Sequence, residues 1–247
     1  MTSTPIKTVD RERLYTDILY RFKYVSEFVG FGDTDIKAIK DAAPLIGPLV
    51  PVIVDAVYAK LFTFDVTKKI FLQKNDGFHG HLAHSMAELT TDDEQVKFRK
   101  DFLAKYLVKL VTAEYDAKFI KYLDWVGKIH TSTPEKKSRI NVEYIHCNAL
   151  FGWLHGFLAE TVDKLPELQS VPETRAKTLA AFSKLLWIQN DFFAMYYLRN
   201  DERFVGDTGR TTGGYKLNVL GISGEKGLAT VMVFAAFAAT IAWSFKK

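Results

Sequence analysis

A single cysteine in 247 residues leaves no intrachain disulfide to form. A disulfide-stapled secreted fold is therefore excluded, and Cys147 reads as a small buried hydrophobe. The chain has no P-loop, no G-x-G-x-x-G after a strand, no H-E-x-x-H and no C-x-x-C, so the common phosphate, dinucleotide, zinc-protease and dithiol chemistries have no motif here. C-x-x-C-H is also missing, so any haem would be held without thioether links. No period-two run bounded by turn residues occurs, and a serine hydrolase would lack its strand-turn-helix elbow. The N-terminal MTSTPIKTVDRERLY has no apolar run and carries acidic residues early, unlike a secretory or transit peptide. An excess of charge is missing as well. Residues 1–204 hold 28 Lys/Arg against 27 Asp/Glu, with no basic module, so nucleic acid is not an expected partner.

What the chain does have is apolar surface. Hydrophobic residues make up 48% and aromatic residues 14%, enough to exclude disorder for the bulk of the sequence. The hydrophobic spacing is helical throughout residues 10–200. Leu14, Ile18, Phe22 and Val25 form one stripe on a helix over 11–29, and Val50, Val54, Val57, Leu61 and Phe64 form another over 48–64. Further helices are expected at 33–43, 91–111, 115–131, 139–165 and 172–199, the second of these opened by a capping-like TTDDE. The expectation is an all-α domain over residues 10–204, after an N-terminal tail of residues 1–9.

The last 43 residues differ in character. Residues 205–226 contain six glycines and little periodicity, the composition of a linker. In the segment 227–247, residues 228–245 (LATVMVFAAFAATIAWSF) carry no charge. Eighteen residues span about 27 Å as a helix, close to the roughly 30 Å hydrocarbon core of a bilayer. Trp243 suits the interface, and Lys246 and Lys247 suit the headgroups. A membrane tail anchor is expected, with the helical domain on the side where translation occurs; a core helix packed on the domain is the alternative.

Two residues on apolar stripes could carry chemistry. Phe119, Leu123, Val126 and His130 fall at spacings of four, three and four, which puts the imidazole on the buried side of its helix. A neutral ring there either satisfies a hydrogen bond in the core, the commoner case, or ligates a metal such as haem iron. Tyr58 shares a face with Val54, Val57 and Leu61, so its hydroxyl points inward, toward a backbone carbonyl or a bound ligand.

The sequences VDAVYAKL (54–61) and FIKYLDWVGKIHTS (119–132) resemble the globin domain of protoglobins and globin-coupled sensors. The resemblance covers residues 10–199 and rests on a D-x-x-Y-x-x-L pattern and an F-I-x(9)-H pattern. It implies a globin-like helical sandwich with an extra N-terminal helix, non-covalent haem b, His130 as the iron ligand, and Tyr58 and Phe102 on the opposite, distal side. Val126, one turn before His130, would line the cofactor pocket. A diatomic gas (dioxygen, carbon monoxide or nitric oxide) would be the ligand. Haem redox chemistry fed by a membrane reductase, and a haem-free tail-anchored adaptor, are the competing functions.

The chain departs from the family pattern in three ways. It has no room for a transmitter domain, it ends in an apolar segment, and it carries extra residues between Tyr58 and Phe102. Those extra residues include FHGHLAHSM, where His79, His81 and His84 read as solvated loop residues, with a zinc or copper site or an approach to the haem as alternatives. His146 and His155 are nine apart on one helix and so face opposite ways. Phe151 and Trp153 read as core or as the surface of a homodimer built from the long C-terminal helices of the domain.

The anchor makes a direct prediction: deleting residues 227–247 should release the protein from membranes with its pigment retained. Membrane association of the truncated chain in fractionation would show the assignment to be wrong.

Overall fold

The computed structural model describes residues 6–132 and 140–198, all within the first of two compact units, Met1–Asp201. The linker 205–226 and the apolar segment 228–245 lie outside the described residues, so the expected membrane helix is not part of the fold described below. The described residues form ten α-helices and no strand: α1 Arg13–Thr16, α2 Ile18–Val29, α3 Asp33–Ile46, α4 Val50–Leu61, α5 Asp65–Lys68, α6 Glu94–Thr112, α7 Ala117–Lys128, α8 Tyr144–Asp163, α9 Pro166–Gln169 and α10 Pro172–Ala194.

Local chemistry explains where the expected boundaries shift. The first helix breaks in two because the Asp17 side chain accepts from Leu19 N–H and Tyr20 N–H, capping α2 afresh. Gly30, in the left-handed region at φ 69°, closes it. Pro44 does not end α3, which runs on to Ile46 with the proline inside it; a 3-10 turn, Gly47–Leu49, then leads into α4. Together these two helices make the run Asp33–Leu61, the one helical stretch among the described residues that is long and apolar enough to cross a membrane. Its buried residues Ile39, Ala42, Ile46, Ile53 and Val57 are core of this domain.

The C-terminal helix α10 is the axis of the unit. It packs against α8, α3 and α7, and its Leu185, Ile188, Gln189 and Phe192 are fully or almost fully buried. Around it lies the larger core cluster, with Ile39, Leu123 and Val162 completely enclosed. A second cluster gathers Val50, Val54, Val57, Tyr58, Phe71, Leu89 and Val96, chiefly from α4, α6 and the segment between them. Leu107 and Leu154 touch both clusters. The extra N-terminal helix is tied on by Arg21, whose guanidinium makes paired bonds of 2.6 and 2.7 Å to the Asp191 carboxylate on α10.

The helix bearing the candidate histidine is seated on α10 by small-scale fit. A Cβ at Gly127 would lie 2.6 Å from the Phe192 carbonyl oxygen, so only glycine lets α7 approach this closely. Buried Gln189 donates 3.0 Å to the Leu123 carbonyl, and Tyr106 on α6 donates 3.1 Å to Gln189 Oε1. Three helices thus meet through one polar chain. Gly127→Ala should therefore destabilise the domain by about 1–3 kcal/mol, an overpacking cost that exceeds the helix-propensity gain of alanine. Gly156→Ala on α8, where nothing lies within 4 Å, should leave the thermal midpoint unchanged or slightly higher. Equal midpoints for the two variants would contradict the close seating.

Candidate functional site

His130 does not lie in α7 but in the turn that follows it. The helix ends at Lys128, and His130 N–H bonds the Gly127 carbonyl at 3.3 Å. The spacing argument still holds for the direction of the ring, which meets Phe193 of α10 at 4.7 Å between centroids. Phe193 in turn meets Phe151 of α8 edge-on at 5.1 Å. The decisive contact is at the imidazole itself. Its Nδ1 lies 2.7 Å from the carbonyl oxygen of Val126. A carbonyl only accepts, so Nδ1 carries the proton and a neutral ring holds its lone pair on Nε2. That is the tautomer a metal-ligating histidine needs, with orientation and basicity supplied by the backbone.

A four-residue connection, residues 113–116, joins α6 to α7. The two helices form an antiparallel hairpin whose side chains meet near the connection: Lys109 Nζ lies 4.0 Å from the Tyr122 ring centroid, and the Tyr106 and Tyr122 rings are 6.4 Å apart. Phe102 is seven residues before Lys109 and therefore on the same side of α6; Val126 and His130 are four and eight residues after Tyr122 on the other arm. Phe102 thus lies on the side of α6 that carries Tyr106 and Lys109, the residues that meet α7 near the connection. It is 53% exposed and packs edge-on against Phe98 at 4.9 Å, and it is not part of the Tyr58 cluster. The structure does not bring Tyr58 and Phe102 into contact as a distal pair.

Tyr58 is buried, 5.5 Å from the Phe71 ring, with Phe62 on the far side of Phe71 at 5.2 Å. Its hydroxyl makes no hydrogen bond among the described residues. Burial pushes the phenol well above its ordinary range, and the nearby Arg99 charge offsets this in part, so the hydroxyl remains a proton donor throughout ordinary pH. Lys100 sits 5.9 Å over the same ring and is paired with Asp55 at 2.8 Å.

A cavity of about 350 Å³ runs between the segment after α5 and the start of α8, lined by Lys69, Ile70, Gln73, Asn141, Glu143 and His146 among others. Its two walls lead to the two candidate residues. Phe71, in the first wall's segment, touches Tyr58. On the other side, Val142 N–H donates 2.9 Å to the His130 carbonyl.

Comparison with known proteins bears on this arrangement. The protoglobin family model matches residues 19–203, three quarters of the chain. This chain belongs to the protoglobin family. Among solved structures, the globin domain of the Geobacter sulfurreducens globin-coupled sensor is similar, with 19% identity and a TM-score of 0.54 over 71% of this chain and 96% of that one. At that identity the likeness establishes the globin-like fold. A search of the curated proteins finds no match to this chain. Membership in the family implies haem and a diatomic gas ligand.

The remaining histidines of this protoglobin lie in the extra loop, His79, His81 and His84, and on α8, His146 and His155. His81 N–H donates to Glu94 at 3.1 Å and His84 N–H to Glu88 at 2.9 Å, so the backbone of the extra loop is pinned by carboxylates. The His81 and His84 rings meet edge-on at 5.5 Å, but among the described residues no group of three or more His, Cys, Asp or Glu is placed to hold a metal ion. His146 lines the large cavity, and His155 lines a small one of about 70 Å³ between α8 and α10, as their opposite faces require. Burial raises the Cys147 thiol to about 11, which makes it unreactive.

Two residues of the Tyr58 neighbourhood escaped sequence reasoning. Gln95, 1% exposed, donates to the carbonyls of Phe71 and Gln73 at 2.7 and 2.8 Å and accepts from Asn75 N–H, fastening the extra loop to α6. Arg99 lies one turn further along, with its guanidinium carbon 4.8 Å from the Phe71 ring centroid. The available signal was polar residues at 95 and 99 in register with Val96, Leu103 and Tyr106 on the inward side of α6.

Proposed function

We propose that this protoglobin binds haem b without covalent attachment, with His130 Nε2 as the iron ligand, and that it takes up dioxygen, carbon monoxide or nitric oxide. The single observation that carries the reading is the Nδ1 contact with the Val126 carbonyl, which fixes the tautomer and aims the ring of a half-buried histidine. When bound, the iron supplies reversible coordination of a diatomic gas and a route for electron exchange. The chain's residues do the rest. The Val126 carbonyl orients His130, and Phe193 packs against the face of its ring. Val126 and Phe102, on facing arms of the α6–α7 hairpin, supply apolar walls. Tyr58 offers a hydroxyl proton from a largely buried side chain. Gas binding or sensing is favoured because the Tyr58 hydroxyl, which makes no hydrogen bond among the described residues, has a proton to give to a bound ligand.

Membrane attachment through 228–245, with the globin domain facing the cytosol, rests on composition, and a membrane-bound reductase is a partner only for the redox alternative. Self-association through α8 and α10 is supported by Ile145 and Trp187, which are 66% and 60% exposed on those helices.

The purified chain, reduced and exposed to carbon monoxide, should show the sharp Soret shift of a ferrous haem protein. Tyr58→Phe should release dioxygen faster on the order of ten- to a hundredfold, since a hydrogen bond to a partly charged ligand contributes about 1.5–3 kcal/mol. An unchanged off-rate in stopped-flow measurements would remove Tyr58 from the distal role.

A further inference from the structure

Arg99 poses a problem that the fold does not solve. Its Nη2 donates 2.8 Å to the Gln73 carbonyl and its plane lies over Phe71, but its Nε is fully buried and has no hydrogen-bond partner. Among the described residues it makes no ion pair. The carboxylate of the neighbouring helix, Asp55, is engaged by Lys100. A guanidinium whose Nε is shut away from water without a partner is incomplete unless something negative pairs with it. Tyr58 contacts the same Phe71 ring, and its hydroxyl makes no hydrogen bond among the described residues. Two donor-bearing side chains therefore flank one ring, that of Phe71. The lining residue Gln73, whose carbonyl Arg99 holds, connects this pair to the 350 Å³ cavity, where Lys69 and His146 add positive or neutral donors and Glu143 is the one acidic group.

We propose that Arg99 and Tyr58 form a site for a small monovalent anion, with the Arg99 guanidinium as the charge partner and the Tyr58 hydroxyl as a second hydrogen-bond donor. Arg99 and Tyr58 act electrostatically on each other, as their proximity requires, and burial lowers the guanidinium to about 10. The shared chemistry is a compact anion that accepts from two N–H or O–H donors. It has two sources: a free anion such as nitrite or azide arriving at the iron, or a carboxylate of the porphyrin itself. Its role toward the iron rests on the haem reading above, whereas the anion site stands on the geometry of Arg99.

The test uses the full chain loaded with haem, in the wild type, Arg99→Met and Arg99→Lys. Azide and nitrite are titrated into the ferric form, carbon monoxide into the ferrous form, and haem transfer to an apoglobin acceptor is timed. For the free anion, Arg99→Met should weaken azide and nitrite about tenfold, leave carbon monoxide within about twofold, and be partly rescued by Arg99→Lys. For a porphyrin carboxylate, azide affinity holds and haem transfer speeds up about tenfold. Arg99→Met that moves neither overturns the site and makes Arg99 a loop fastener. Should the chain take up no haem, the haem reading fails separately. The anion site is then read from the thermal midpoint of the haem-free chain in nitrite against chloride at equal ionic strength. A nitrite shift in the wild type that Arg99→Met abolishes upholds it, and identical shifts overturn it.

Discussion

The site hangs on one hydrogen bond, from His130 Nδ1 to the carbonyl oxygen of Val126. The bond spans four residues, so its length depends on the backbone continuing to turn after α7 has formally ended at Lys128. It is also chemically selective: it commits one ring nitrogen as a donor and leaves the other basic. A histidine placed on the same stripe without that bond would be only a polar residue beside Phe193.

The packing of α7 makes the bond dependable. Leu123 and Gly127, on the side of the helix that meets α10, are fastened by a side-chain amide and by a backbone contact that leaves no room for a methyl group. Of the stripe through Tyr122, Val126 and His130, Tyr122 meets α6 and the His130 ring meets Phe193 of α10. Contacts between α6 and α7 are made near their connection, through Tyr106, Lys109 and Tyr122, so the arms are joined at one end by side chains and bear the candidate cofactor walls further along. The dense core around α10 and the smaller cluster divide the labour: one seats the helix that leads into His130, the other surrounds Tyr58.

Much of this was legible in the sequence. Hydrophobic spacing located every long helix, and the F-I-x(9)-H and D-x-x-Y-x-x-L patterns singled out His130 and Tyr58 on inward faces. The boundaries were less legible because they depend on local competitors: the Asp17 side chain breaks the first helix, and Pro44 is accommodated within α3. Phe102 illustrates a different gap. An ungapped register can give the side of α6 on which a residue lies but not whether its ring is covered, and Phe98 takes up its packing. Gln95 and Arg99 were hidden because a polar residue on an apolar stripe has no periodic signature of its own. Their roles come from the Phe71–Gln73 segment, which only folding brings against α6.

The most direct measurement is the absorption spectrum of His130→Ala after purification with haem supplied. The account predicts that the variant folds, since the ring is only partly buried and lies outside the hydrophobic core, but that its Soret band is lost or collapses to that of loosely associated haem, with added imidazole restoring it. A Soret band of wild-type position and intensity in His130→Ala, without imidazole, would contradict the account.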